Sequence, residues 1–294
     1  MRKNKSIIAL VLSSVLTAYI LPANAIAVNV ENAGNLSSAQ TQLSSEELYN
    51  LFVENGEVPP IFEEDYGIGM CSVIDSDDRT RVEDTTVSPY KAIGKLYMGS
   101  SHSSCAAFAT NAVITAAHCV YNQSTNQMKP FTKIEFGLNG DSSVKTITYE
   151  PEEIIVCPDY INGVDSASSD WAIILFSEKI SNWAFGYSTG LTTSTELTTS
   201  GYPSSNSVEN EDNSGLEQYT CSGYASVIST DYFRHNLDET SGQSGSPIYN
   251  STKHIVGIIS RGNSSYNTAR RIKGDLFDTM AAIRAGIYES GTQQ

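Results

Sequence analysis

From about residue 81 onward, apolar residues come in short runs with alternating or continuous spacing, not in the three-to-four rhythm of helices. The runs at 112–114, 133–136, 144–149, 172–176 and 254–259 are separated by clusters of Gly, Asn, Ser and Pro. Many short strands divided by turns predict an all-β sandwich or barrel. Two stretches break that rhythm. Residues 277–288 have helical spacing, with Leu276, Met280, Ile283 and Ile287 expected on one side. Ser44 followed by Ser45-Glu46-Glu47 and then Leu48, Leu51 and Phe52 predicts a short capped helix. No internal repeat interrupts the chain.

The N-terminus has a different pattern. Arg2, Lys3 and Lys5 precede an apolar stretch over 7–20, and Ala23-Asn24-Ala25 has the small-x-small form of a cleavage site. The stretch is short for a span of about 20 residues. Residues 1–25 are therefore expected to be an export signal, with a cut after Ala27 as the second choice, leaving a secreted protein without a stable membrane anchor. Residues 26–71, with Gly56, Pro59-Pro60 and acidic Glu63-Glu64-Asp65, are too few to bury a core of their own. They are expected to form a removable pro-segment that lies over the active site until it is cut away. Residues 72–294 then make up the main domain.

Composition narrows the partners. The 294 residues carry 33 acidic and 18 basic side chains, a formal charge of −15. Phosphate backbones demand concentrated Lys and Arg, so nucleic acid is excluded as a partner class. Five cysteines, Cys71, Cys105, Cys119, Cys157 and Cys221, leave one over in an exported chain. A cut just after Cys71 leaves four. Cys105 and Cys119 flank a strand and turn, where a bridge would brace what lies between; a Cys157–Cys221 pair follows by elimination. No C-x-x-C or H-x-x-x-H spacing points to a metal, and no cofactor is expected.

Three local sequences carry the chemistry. Thr115-Ala116-Ala117-His118-Cys119, Ser169-Asp170-Trp171 and Thr240-Ser241-Gly242-Gln243-Ser244-Gly245-Ser246-Pro247 occur in the order His, Asp, Ser. A serine hydroxyl needs an imidazole to take its proton, and the imidazole needs a carboxylate to fix its tautomer and stabilise its charged form. Taken singly, each residue has a structural explanation. His102, His235 and His254 lack the setting of His118, and Asp141, Asp159 and Asp165 are the fallback carboxylates.

These blocks, together with residues 71–82, Ser88-Pro89-Tyr90, Ser200-Gly201-Tyr202-Pro203 and Ser264-Ser265-Tyr266-Asn267, resemble the secreted glutamyl endopeptidases of bacilli, relatives of the staphylococcal V8 enzyme. The resemblance runs from about Ser72 to the C-terminal helix. It implies a chymotrypsin-like double β-barrel with a boundary near 185–195, a mature N-terminus near Ser72 or Val73, and an activating protease. It also implies Ser244 as nucleophile, His118 as base and then acid, Asp170 as its support, and the N–H groups of Gly242 and Ser244 as oxyanion hole. Ser260-Arg261-Gly262 would pair with the backbone of a protein or peptide substrate.

Two departures matter. Chymotrypsin has an aspartate before the nucleophile that receives the new N-terminal amine; Gln243 stands there, so that ion pair cannot form. The family's carboxylate-binding histidine is replaced by Ile259, and Glu239 stands beside Asp238 in the expected specificity pocket. A pocket that loses a cation and gains a carboxylate favours Arg or Lys before the cut. Glutamyl specificity is the alternative. A non-catalytic binding or toxin module on the same fold is the alternative of another class.

Overall fold

The computed structural model describes residues 17–21, 25–29, 43–61, 77–204, 215–262 and 266–290. Cys71, the expected cut beside it and most of the expected signal lie outside the described residues; Thr17–Leu21 and Ala25–Asn29 pair as an antiparallel ribbon.

Two sheets form the body. The first contains β1 (Ile93–Met98), β2 (Ser101–Ala109), β3 (Ala112–Thr115), β4 (Phe131–Phe136), β5 (Lys145–Ile147), β6 (Glu153–Val156) and β7 (Ala172–Leu175), in the order β5-β4-β1-β2-β3-β7-β6. The second contains β8 (Gly186–Ser188), β9 (Glu196–Gly201), β10 (Tyr219–Ile228), β11 (Tyr232–His235), β12 (Pro247–Tyr249), β13 (His254–Gly262) and β14 (Asn267–Arg271). Its path β12-β9-β10-β11-β14-β13 closes when β13 pairs back to β12, giving a six-stranded barrel with β8 added parallel to β13. Closure leaves no free edge within the ring. The expected all-β architecture is observed, with the second sheet a closed barrel and the first a half-barrel.

Four of the five predicted strand runs match closely. The run at 144–149 shrinks to Lys145–Ile147, an edge strand paired with β4 alone.

The terminal helix, Asp275–Ala285, starts and stops earlier than expected because Gly286 adopts φ 75° and ends it. Leu276, Met280 and Ile283 are buried as expected, whereas Ile287 falls beyond the cap and is exposed.

Residues 43–61 are built as predicted but sit elsewhere. Ser44 and Glu47 form a reciprocal capping box at the start of the helix Ser45–Asn55, and Gly56 at φ 62° ends it. Leu48 and Phe52 enter the main core and the helix packs on the terminal helix. Glu57–Val58 then pairs with β8, Ile61 bridges to Ala184, and Arg284 donates to the Pro59 carbonyl at 2.6 Å. Gly186 permits this approach, since a Cβ there would lie 2.5 Å from the Val58 carbonyl. The described part of the segment, residues 43–61, thus docks on β8 and the terminal helix and lines none of the cleft.

Candidate active site

The register of the first sheet brings His118 and Asp170 together. β3 and β7 are antiparallel with Thr115 opposite Ala172. The residues just after β3 and just before β7 therefore share one end of the sheet. His118 lies there in the one-turn helix Ala117–Val120, and Asp170 in the turn before β7. Asp170 is fully buried; its Oδ1 accepts the His118 backbone N–H at 2.9 Å and its Oδ2 meets Nδ1 at 2.8 Å. Ser260 on β13 donates to the same Oδ2 at 2.5 Å, and the Arg261 guanidinium stands 3.8 Å away, also bound to Asp165 at 2.7 Å.

Burial alone would raise the Asp170 carboxyl, but His118, Ser260 and the His118 N–H hold it below the usual carboxylate range. Burial opposes the charged form of His118, yet Cys119 and Asp170 outweigh it and raise its pKa from 6.5 to about 11. The far nitrogen, Nε2, has Cys119 Sγ at 3.8 Å. No hydrogen bond between Nε2 and Ser244 Oγ occurs among the described residues; such bonds often tighten only when substrate is bound.

Ser244 is carried by the second barrel, on the turn leading into β12, and is clamped to the first. Ser104 on β2 donates its N–H to the Ser244 carbonyl and its hydroxyl to the Gly242 carbonyl, both at 2.9 Å. Thr115 in turn holds the Ser104 carbonyl at 2.8 Å. Gly242 has φ 93° and Gly245 φ 81°, and a Cβ on Gly245 would lie 2.1 Å from Thr115 Oγ1. Glycine is thus required where the two barrels meet. Sequence reasoning missed Ser104; a serine pair on a buried strand gives no signal of the turn it will grip.

A cleft of about 380 Å³ is lined by Glu239, Thr240, Ser241, Ser244, Ile259, Ser260, Arg261, Gly262 and Asn267. Five of the six residues expected to bind substrate, Glu239, Ile259, Ser260, Arg261 and Gly262, are brought together here. Asp238 is not. Its Oδ2 accepts the Asp78 N–H at 3.0 Å, away from the cleft. Burial and the adjacent Asp238 push the Asp78 carboxyl up to about 6. Glu239 keeps one oxygen, Oε2, enclosed without a hydrogen-bond partner among the described residues. Burial pushes this carboxyl up to about 8, against the pull of His118 and Arg79. Asn267, which the sequence named only as part of the resemblance and without a site role, also lines the cleft and donates to the Leu237 carbonyl.

The expected disulfides are not formed. Cys105, Cys119, Cys157 and Cys221 are all free and buried. Cys105 donates to the Gly94 carbonyl, while Cys119 faces His118. Cys157 belongs to the main apolar core and Cys221 to the separate one inside the second barrel, which keeps that pair apart. Among the described residues no cluster of His, Cys, Asp or Glu could hold a metal ion.

Comparison with known proteins places these features in context. The trypsin family model matches residues 81–276. The chain is 32% identical over 232 residues to the glutamyl endopeptidase of Bacillus licheniformis, covering 71% of this chain and 68% of that protein. It is 28% identical over 219 residues to the extracellular metalloprotease of Bacillus subtilis, again covering 71% and 68%. A solved Glu endopeptidase in complex with MPD superposes with a TM-score of 0.64 at 26% identity, over 73% of this chain and 100% of that one. A thermostable serine protease, AL20, from an extremophilic microorganism shares the fold at a TM-score of 0.55 and 18% identity, over 69% of this chain and 98% of that one.

Proposed function

Because the chain belongs to the trypsin family of serine endopeptidases, we propose that it cleaves peptide bonds through Ser244, His118 and Asp170 and prefers Arg or Lys before the cut. The observation that carries the catalytic part is the double grip of Asp170 on His118, through Nδ1 and the backbone N–H, beside a cleft that Ser244 lines. In this reading Ser244 attacks the carbonyl carbon, and His118 Nε2 takes the hydroxyl proton and returns it to the leaving amine. The N–H groups of Gly242 and Ser244 receive the developing oxyanion; each such donor is typically worth about 3 kcal/mol in the transition state.

The observation that supports the specificity is the Glu239 carboxyl in the cleft wall, with one enclosed oxygen unpartnered. A cationic side chain would supply that partner and draw the carboxyl into its ionised form. Ile259 offers an incoming carboxylate nothing. Glutamyl specificity remains the second reading, favoured by the name of the Bacillus licheniformis relative and by the Arg261 guanidinium in the same cleft.

Secretion after loss of residues 1–25, and cleavage near residue 71 by an activating protease, complete the proposal. The first is supported by the basic, apolar and A-x-A sequence at the start of the chain, and the second by the even set of four cysteines that loss of Cys71 would leave. No helix among the described residues is long and apolar enough to cross a membrane.

The test is cleavage of a peptide library, with Ser244→Ala as control and the residue before each cut read by mass spectrometry. Cuts after Arg and Lys that vanish in the control are expected. Cuts after Glu would transfer specificity to Arg261 or another cation, and an absence of cuts would leave a binding module.

A further inference from the structure

The loop that carries Ser244 is gripped from within the chain by Arg79. This residue precedes the two-residue strand Thr80–Arg81, which adds to β10 and fixes where the arm lies. The Arg79 side chain is 1% exposed. Its Nη1 donates to Thr240 Oγ1 at 2.6 Å and to Gln243 Oε1 at 2.8 Å, while Nε and Nη2 are held by the two oxygens of Asp77 at 2.8 and 2.5 Å. Gln243 is itself fully buried, and its Oε1 also accepts the Thr240 N–H at 2.9 Å. One guanidinium therefore ties together the first and fourth residues of the turn Thr240-Ser241-Gly242-Gln243, whose third residue is the glycine at φ 93°.

Backbone bonds and the Ser104 clamp hold the turn as well. The Gln243 N–H reaches the Thr240 carbonyl at 3.0 Å, and the Ser241 carbonyl accepts from the Ser204 N–H at 2.7 Å. The Gln243 side chain could not bind a cation as a charge, but its amide oxygen accepts a charge-assisted hydrogen bond, and a planar guanidinium can serve two acceptors and a carboxylate together.

We propose that Arg79 is a positioning residue that holds the 240–244 turn in its reactive shape, so that the nucleophile loop is organised without a new N-terminal amine. Arg79 lies after residue 71 and is docked in a chain that still carries residues 43–61. A cut near residue 71 therefore keeps Arg79 and Asp77 on the chain that carries Ser244. The inference rests on Ser244 being the nucleophile.

The experiment measures labelling of Ser244 by a fluorophosphonate, and peptide hydrolysis, for the full chain before and after processing. Wild type, Ser244→Ala, Arg79→Ala and Arg79→Lys are compared, each checked for a folded circular-dichroism spectrum. In folded Arg79→Ala, labelling and kcat are expected to fall about 100-fold, the size of losing one oxyanion donor, with KM changed less than about 3-fold. Arg79→Lys should restore part of the loss, and so should methylguanidinium added to Arg79→Ala. If Arg79→Ala proves too unstable, partial loss of kcat in Arg79→Lys at unchanged KM carries the same information. Wild-type rates in folded Arg79→Ala would overturn the proposal. Wild type that never labels would instead remove Ser244 as nucleophile.

Discussion

The two sides of the site are built on opposite principles. Behind the cleft Asp170 is saturated: two contacts to His118, a third to Ser260 and a distant guanidinium surround one buried carboxylate. On the specificity wall Glu239 is left short of a partner, and Asp238 turns away to Asp78. Saturation fixes a group in place before substrate arrives. An enclosed, unpartnered carboxyl does the reverse and leaves the site to be completed by what binds.

The contrast can be broken at several points. The largest effect is expected from Asp170→Asn, which keeps the shape but reverses a hydrogen bond at Nδ1; kcat should fall about 10⁴-fold, and stopped assays on a neutral peptide ester would measure it. A loss below tenfold would mean that the saturated side does not support the base.

Glu239→Gln tests the other side. Cleavage after Arg and Lys should weaken about 10- to 100-fold in kcat/KM while cleavage after neutral residues holds, as expected when a buried charged partner is lost. Equal effects on both substrate classes would sink the specificity reading.

Cys119 lets the pH profile speak. The proposed mechanism needs neutral His118, whose pKa is raised, so rates should climb into the alkaline range. Cys119→Ser removes the first of the raising influences, and the rising limb of kcat/KM against pH should move to lower pH.

The smallest effect is on stability. The folded Glu239 carboxyl titrates near 8 instead of 4.5. The folded state therefore keeps a proton that the unfolded chain releases, and the stability present below pH 4.5 is lost as pH rises through 8. The wild-type Tm should decline more steeply over that window than that of Glu239→Gln, by a few degrees at about 2–4 °C per kcal/mol for a chain of this size. Parallel Tm curves by calorimetry would contradict this.

The meeting of His118 and Asp170 was legible in the sequence because it is written locally. One block follows an apolar strand, the other precedes one, and the register of those two strands does the rest. The capping box of Ser44 and Glu47 was equally plain. What could not be seen depends on partners far along the chain. Arg79 meets Gln243 across 164 positions, and Asp78 meets Asp238 across 160. Asp238 was expected in the pocket from its distance to Ser244, but that spacing does not reveal which neighbour its side chain will find. The cysteines misled for a related reason, since spacing suggests a bridge while the packing of each thiol decides it.

Arg79 also bears on how this protein can be dissected. The family match begins at residue 81, so a fragment cloned to that boundary would omit the guanidinium and Asp77 while retaining His118, Asp170 and Ser244. Such a fragment would carry every signature by which the enzyme is recognised, yet lack the side chain that shapes its nucleophile turn. The functional unit begins no later than Asp77.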